Sequence, residues 1–179
     1  IQHSYWLHSK LNFDSDCLEF SRLTQDQQDI MRRTMLAISQ IEVSVKVFWG
    51  SLYLTFPKPE INNVGSVFAD SETRHSDTYS RLLTLLGFEN DFENFLKDPV
   101  ARERFDWLNK PRNTTPSDIV YNIAVFSMLV ENVSLFSQFL IMLAYRRHLG
   151  VMKNIANGVG WTSQDEIVHY DFGAWLSNQ

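Results

Sequence analysis

The chain has 179 residues, of which 44% are hydrophobic and 13% aromatic, and its formal net charge is −5. This length and composition suffice for one domain with a substantial hydrophobic core. The acidic balance leaves no basic stripe for a phosphate backbone, which argues against nucleic acid as a direct ligand. The single cysteine, Cys17, excludes a disulfide framework, a CxxC redox pair and a cysteine-rich metal site, so we expect a cytoplasmic protein.

The first half of the chain carries the patterns of two long helices. Residues 1–23 precede these patterns and are expected to form an extended N-terminal segment. The sequence TQDQ at 24–27 has the spacing of a capping box, and apolar residues then recur near the helical period until Pro57. A second helix is expected from about Pro59 to Leu86.

The second half carries a short helix, a loop and further long helices. Residues 91–109 show an amphipathic helical pattern that Pro99 interrupts. Thr115 is an expected N-cap, with Pro116 at the first helical position. The last helix is expected to run from about Val151 to the end of the chain. Because no strand-like alternation and no repeat is visible, we predict an all-α fold.

Residues 119–145 are apolar on nearly all sides and are long enough for a membrane span. However, Glu131 lies in the middle of this stretch, among Asn122, Asn132 and Gln138, and no second span follows. We therefore interpret the stretch as the buried central helix of a bundle, and we expect no membrane association.

Two short motifs place a histidine three positions after a glutamate. SETRHSDTYS contains Glu72 and His75, and SQDEIVH contains Glu166 and His169. On a helix, positions i and i+3 face the same way, so each pair can bind one metal ion. Two such pairs indicate a site with two metal ions.

Two further glutamates lie in apolar parts of the predicted helices. Glu42 is on the apolar side of the first long helix, and Glu131 is in the most hydrophobic segment of the chain. Buried carboxylates need partners. Ferritin-like dinuclear carboxylate proteins use one Glu from each of two helices and a Glu-x-x-His motif from each of two others. The sequence therefore predicts a ferritin-like helical bundle with a dinuclear metal site in its core.

Each of these residues also has an ordinary structural interpretation. Glu42 can pair with Lys46 on a solvated face, the two histidines can be surface residues, and Glu131 can be a lone buried acid. Together these interpretations require four coincidences, so we favour the metal site. Carboxylate oxygens with one imidazole per metal suit iron or manganese and argue against copper, while the ligand types alone leave zinc open.

A tyrosine follows the first motif on the same side of its helix. Tyr79 lies one turn beyond His75, about 6 Å along the helix axis. Taken alone, it is equally well interpreted as a core tyrosine with a satisfied hydroxyl. Beside a metal centre that activates oxygen, one-electron oxidation of its phenol becomes plausible chemistry.

These motifs together resemble those of the small, radical-generating subunit of class I ribonucleotide reductase. SETRHSDTYS resembles the family's second-helix motif, in which Glu and His bind one metal and the following Tyr carries the radical. LVENVSLFSQF and SQDEIVH resemble the motifs that supply the other metal. The resemblance assigns the ligands as follows: Glu42, Glu72 and His75 to the metal nearer Tyr79, and Glu131, Glu166 and His169 to the other.

The same resemblance implies a hydrogen-bonded route for proton-coupled electron transfer. In the family, an Asp before the fourth-helix ligand Glu links a ligand His to an N-terminal Trp. Asp165 and Trp6 take these positions, although the Pro and Glu that usually follow the Trp are absent here. The residues that shield the radical fall at Leu135, Phe139 and Thr162, and Thr162 is more polar than the usual occupant.

The implied function is that of an enzyme, the small subunit of ribonucleoside-diphosphate reductase. In this family two iron ions, or manganese in place of one or both, activate oxygen and generate a tyrosyl or metal-centred radical equivalent. The large catalytic subunit uses it to reduce ribonucleotides to deoxyribonucleotides. The implied partners are this large subunit and a second copy of the chain in a homodimer, with no nucleic acid.

The family's small subunits continue for two further helices and a flexible C-terminal tail. We therefore expect residues 1–179 to be a single domain that is a fragment or a shortened version of such a subunit. Two alternatives share the metal ligands. A di-iron oxidase or oxygenase would need an open pocket beside the metals, and an iron-storage ferritin-like protein would oxidise iron without a persistent radical.

Overall fold

The computed structural model of the chain describes residues 5–110 and 115–179, and all regular secondary structure in these ranges is helical. This confirms the predicted all-α class. Four long helical stretches form a bundle, in which α2 packs along α4 and α9 packs against the run that contains α7 and α8. The α-helices are α1 (Asp14–Phe20), α2 (Gln25–Gly50), α3 (Leu52–Thr55), α4 (Pro59–Leu85), α5 (Phe92–Phe95), α6 (Pro99–Leu108), α7 (Pro116–Ala124), α8 (Phe136–Ala144) and α9 (Lys153–Ser177).

The helix starts follow the capping signals in the sequence. Thr24 forms the predicted capping box at the start of α2, because its hydroxyl accepts from the backbone N–H of Gln27 and the Gln27 side chain accepts in return. The Thr115 hydroxyl caps α7 in the same way. The predicted helix over residues 91–109 is divided into α5 and α6, because Asp98 caps a new helix that begins at Pro99.

The N-terminal segment 1–23 was expected to be extended; residues 1–4 lie outside the described residues, and parts of residues 5–23 are helical. His8–Lys10 forms a 3-10 turn and Asp14–Phe20 forms α1. The buried Asp16 carboxylate accepts hydrogen bonds from the backbone N–H groups of Asn154 and Ile155, each at 2.9 Å. Helix α1 therefore caps the start of α9, a contact between distant parts of the chain that local periodicity does not reveal.

The run from Pro116 to Leu149 is helical throughout, but two parts of it are π-helical. These are Val125–Leu135 and Tyr145–Leu149, and the sequence patterns did not predict either one. A π-helical stretch is wider than an α-helix and changes the direction in which later side chains point. The first stretch contains Glu131, so the departure from α-helical geometry lies at a predicted metal ligand.

The same run passes a length and composition test for a membrane span. Its most apolar 18-residue window has a mean hydropathy of 1.6, and 39% of that window is buried. A single helix of this kind is weak support for a span, because the core helix of a bundle passes the same test. Glu131 is fully buried within it, and the run packs against α2 and α9. These contacts agree with the interpretation as a core helix.

Helix α9 approaches the first π-helical stretch closely at Gly173. A Cβ atom added there would lie 2.1 Å from Ser127 Oγ and 2.3 Å from Ser127 Cβ. Ser127 is fully buried and donates a hydrogen bond to the carbonyl of Ile123, so it has little room to move. Only glycine fits at residue 173 without displacing one of the two helices.

We predict that Gly173→Ala lowers the free energy of unfolding by about 1–3 kcal/mol, the usual cost of overpacking a core. Urea denaturation would measure it. Gly160→Ala on the same helix is the control, because an added Cβ there meets no described atom within 4 Å. That change should be neutral or stabilising by up to about 1 kcal/mol. Equal stabilities for the two variants would show that the close approach is wrong.

Candidate metal centre

All six predicted metal ligands lie together in the interior of the bundle. Each is 0% exposed except His169, which is 2% exposed. Each long helical stretch contributes to the set. The ligands are Glu42 from α2, Glu72 and His75 from α4, Glu131 from the first π-helical stretch, and Glu166 and His169 from α9.

The ligand atoms form two overlapping groups, and within each group they lie within 4.8 Å of one another. Glu72 and Glu166 belong to both groups, so their carboxylates lie between two metal positions. The resemblance had assigned each of these glutamates to a single metal. The first group is Glu42, Glu72, His75 and Glu166, and the second is Glu72, Glu131, Glu166 and His169.

The carboxylate oxygens of the cluster face one another with few hydrogen bonds. Six of the eight accept none from any described residue, the exceptions being Glu72 Oε2 and Glu131 Oε1. Buried carboxylates without donors are costly, and their mutual repulsion adds to that cost. Bound cations would remove both penalties. The donor set therefore fits two hard or borderline metal ions such as iron or manganese.

Both histidines turn Nδ1 toward the carboxylates. His75 Nδ1 lies 3.2 Å from Glu166 Oε1 and 3.4 Å from Glu42 Oε2. His169 Nδ1 lies 2.9 Å from Glu72 Oε1. In each group one imidazole nitrogen and several carboxylate oxygens thus converge on a shared space, as they do around a metal ion.

The surroundings of the cluster shift the pKa values of most of its acids and bases. Burial raises the pKa of Glu42 well above its usual range and raises the pKa of Glu131 to about 8. Burial opposes protonation of His75 and His169, but the neighbouring carboxylates outweigh it and raise the pKa of both. Burial also disfavours ionised Glu72, but the two histidines outweigh this effect and lower its pKa.

Asp165 lies behind His75, on the side away from the carboxylates. Its Oδ2 accepts hydrogen bonds from Trp6 Nε1 at 2.9 Å, His75 Nε2 at 3.1 Å and Ser71 Oγ at 3.3 Å. Burial opposes its ionisation, but the hydrogen bonds from His75 and Trp6 and the positive charge of the two histidines together outweigh burial and lower the pKa of Asp165. Trp6 is itself buried, and its ring stacks on His75 with the centroids 5.7 Å apart. The structure thus joins Trp6, Asp165 and His75 in one row.

Tyr79 is 1% exposed, and its hydroxyl donates to Thr162 Oγ1 at 3.2 Å. Thr162 donates in turn to the carbonyl of Gly158, also at 3.2 Å. Burial, together with the charge of Glu42, raises the pKa of Tyr79, so the phenol stays protonated at physiological pH. The polar residue at 162, an apolar position in the resemblance, thus provides the phenol with a hydrogen-bond acceptor.

Trp49 contacts the second ligand group but was not predicted as a site residue. Its fully buried indole donates from Nε1 to Glu131 Oε1 at 2.5 Å. Its ring centroid lies 5.7 Å from that of His169. A signal was available, because Trp49 lies two helical turns after Glu42 on the apolar side of the same helix. That spacing alone, however, does not distinguish it from any core aromatic residue.

We predict that metal binding releases protons and tightens as the pH rises from about 6 to about 8. Ligands must be deprotonated to bind, and the pKa of Glu131 is raised to about 8. At low pH protons compete with the metal, and above the raised pKa values this competition ends. Titration calorimetry with manganese(II) in buffers of different ionisation enthalpy would count the protons released.

The control for this measurement is Glu60→Gln, which removes an exposed carboxylate from the first turn of α4, about three helical turns before Glu72, and should leave the pH dependence unchanged. Metal affinity that does not vary with pH, with the same heat in every buffer, would contradict the protonated state of the metal-free cluster.

Comparison with known proteins finds relatives that align with most of this chain. A probable ribonucleoside-diphosphate reductase small subunit, 376L of Invertebrate iridescent virus 6, is 30% identical over 185 residues, covering 94% of this chain and 51% of that protein. The corresponding protein 048L of Invertebrate iridescent virus 3 is 25% identical over 187 residues, covering 94% of this chain and 50% of that protein. The chain thus spans about half the length of these relatives.

Solved structures share the fold at low sequence identity. A putative class I ribonucleotide reductase from Bacillus halodurans superposes with a TM-score of 0.87 at 18% identity, covering 98% of this chain and 65% of that one. An R2-like ligand-binding oxidase from Sulfolobus acidocaldarius superposes with a TM-score of 0.85 at 19% identity, covering 98% of this chain and 68% of that one. These neighbours confirm the predicted ferritin-like bundle. The sequence model of the ribonucleotide reductase small chain matches residues 1–179, so the chain belongs to that family.

Proposed function

We propose that the chain acts in a radical-generating small subunit of ribonucleoside-diphosphate reductase. The observation that carries this proposal is the row of hydrogen bonds from Trp6 through Asp165 to His75, which connects the buried cluster with the N-terminal segment. A storage protein has no need of such a row. When bound, a pair of iron or manganese ions would supply oxygen activation and one-electron oxidation.

Tyr79 is the residue that we propose to carry the radical. Its surroundings exclude water, and its phenol is protonated and oriented by Thr162. Oxidation removes one electron and the phenolic proton, and the hydrogen bond to Thr162 fixes the direction in which that proton points. The buried side chains of Leu135 and Phe139 belong to the same hydrophobic core and limit the access of reductants.

Asp165 has the properties needed to couple electron and proton movement along the row. Its lowered pKa keeps the carboxylate ionised, so it can stabilise positive charge on His75 and accept a proton from the Trp6 indole. The neighbouring Tyr5 is 60% exposed, so the row ends close to the protein surface. We propose that the large catalytic subunit receives the oxidising equivalent on this side.

The proposed homodimer is supported by exposed apolar side chains on two long helical stretches. Exposed apolar side chains that cluster on a surface commonly mark contacts with another subunit. They include Val43 and Val47 on α2 and Leu129, Val133 and Leu140 on the run from Pro116 to Leu149.

The oxidase alternative requires an open pocket beside the metals. The described residues form an apolar cavity of about 420 Å³, lined among others by Phe48, Phe56, Leu108 and Phe126. None of the six ligand residues lines this cavity. It therefore offers no direct route for a substrate to the centre. A second cavity is lined by His169, but its volume is only about 60 Å³, which is small for an organic substrate. These volumes favour the reductase function over the oxidase.

We predict that adding iron(II) and oxygen to the metal-free protein produces a tyrosyl signal in the electron paramagnetic resonance spectrum. Tyr79→Phe should abolish the signal while both metal ions remain bound. Tyr145→Phe is the matched control, because Tyr145 is also buried but its hydroxyl donates to the carbonyl of Gln27. A tyrosyl signal that persists in Tyr79→Phe would refute the assignment of the radical.

Asp165→Asn should leave metal content and the Tyr79 signal nearly unchanged but lower nucleotide reduction with a matching large subunit by roughly 100-fold or more. An amide still accepts a hydrogen bond but does not take up a proton. Asp171→Asn, at an exposed position of the same helix, is the control. Turnover of Asp165→Asn at the rate of the parent protein would reduce Asp165 to a structural role.

A further inference from the structure

The two ligand groups differ in how the carboxylate that is unique to each group is held. Glu42 belongs only to the first group, and neither of its oxygens accepts a hydrogen bond from a described residue. Glu131 belongs only to the second group, and its Oε1 accepts the Trp49 indole N–H at 2.5 Å. The carboxylate of Glu131 is therefore oriented by a hydrogen bond, whereas that of Glu42 is not.

The Trp49 indole is itself held on several sides. Its ring lies edge-on to Phe68 with the centroids 5.0 Å apart and is tilted against Phe172 at 6.1 Å. It is fully buried, and an indole nitrogen can only donate. The Glu131 carboxylate is the acceptor that satisfies it, so a rigid aromatic cluster determines where one carboxylate oxygen lies.

The restraint acts on a ligand that lies outside regular α-helical geometry. Glu131 belongs to the π-helical stretch Val125–Leu135, a departure of the kind that is frequent at functional sites. Its other oxygen, Oε2, accepts no hydrogen bond from the described part of the chain. Without the indole, the nearest described donor would be His169 Nδ1, which lies 3.4 Å from Oε1 and belongs to the same ligand group.

We propose that Trp49 is a positioning residue for the second metal position. Its indole N–H fixes the orientation of the Glu131 carboxylate, and it thereby sets the affinity for the ion bound by Glu131 and His169 without affecting the ion bound by Glu42 and His75. This inference rests on the proposed dinuclear site, but it does not require that Tyr79 forms a radical.

The test is a cobalt(II) titration of the metal-free protein, followed by visible absorption and by calorimetry. In the parent protein two binding steps are expected. Trp49→Phe keeps an aromatic ring but removes the donor, so it should weaken one step by about 10- to 100-fold and change the absorption of that ion. The other step should not change. Trp175→Phe, at a side chain that is 52% exposed, is the matched control.

A second variant separates hydrogen bonding from packing. Site-specific replacement of Trp49 by 3-benzothienylalanine keeps the shape of the indole and exchanges its N–H for sulfur. The same selective loss as in Trp49→Phe would support the proposal. An isostere that behaves like the parent, or a Trp49→Phe variant that weakens both steps equally, would assign Trp49 a packing role and overturn it. A parent protein that binds fewer than two ions would instead contradict the proposed function.

Discussion

The organising constraint of this protein is the burial of four carboxylates and two imidazoles at the centre of an apolar bundle. Charged groups are expensive to remove from water, and like charges a few ångströms apart raise that cost further. The pKa values of Glu42, Glu131 and the two histidines are all raised, so bound protons reduce this cost when no cation is present. Two bound cations would replace these protons, so folding, protonation and metal binding are linked at one site.

Several features outside the cluster serve to hold its ligands in place. The contact between Gly173 and Ser127 sets the distance between α9 and the π-helical stretch, and these two elements carry three of the six ligands. Helix α1 caps the start of α9 through Asp16. Trp6, in the same N-terminal segment, donates a hydrogen bond to the Asp165 carboxylate. Segments far apart in sequence therefore converge on the helix that supplies Glu166 and His169.

The sequence revealed those parts of the site that depend on a single helix. Glu72 with His75 was visible because positions i and i+3 share a face, and Glu131 was visible because an acid within an apolar run needs a partner. Features that depend on contacts between helices were not visible. The sharing of Glu72 and Glu166 by both groups, the hydrogen bond of Trp49 and the π-helical geometry all arise from tertiary packing, which local periodicity does not encode.

The two metal positions differ in their surroundings, and the difference fits a division of roles. The first includes His75, which is hydrogen-bonded to Asp165 and through it to Trp6, whereas the second is bordered by Trp49.

The most direct test of the dinuclear centre is anomalous diffraction from crystals of the metal-loaded protein at the iron and manganese absorption edges. Two peaks are expected, one beside Glu42 and one beside Glu131, both contacted by Glu72 and Glu166. A single peak, or peaks away from these residues, would contradict the dinuclear centre.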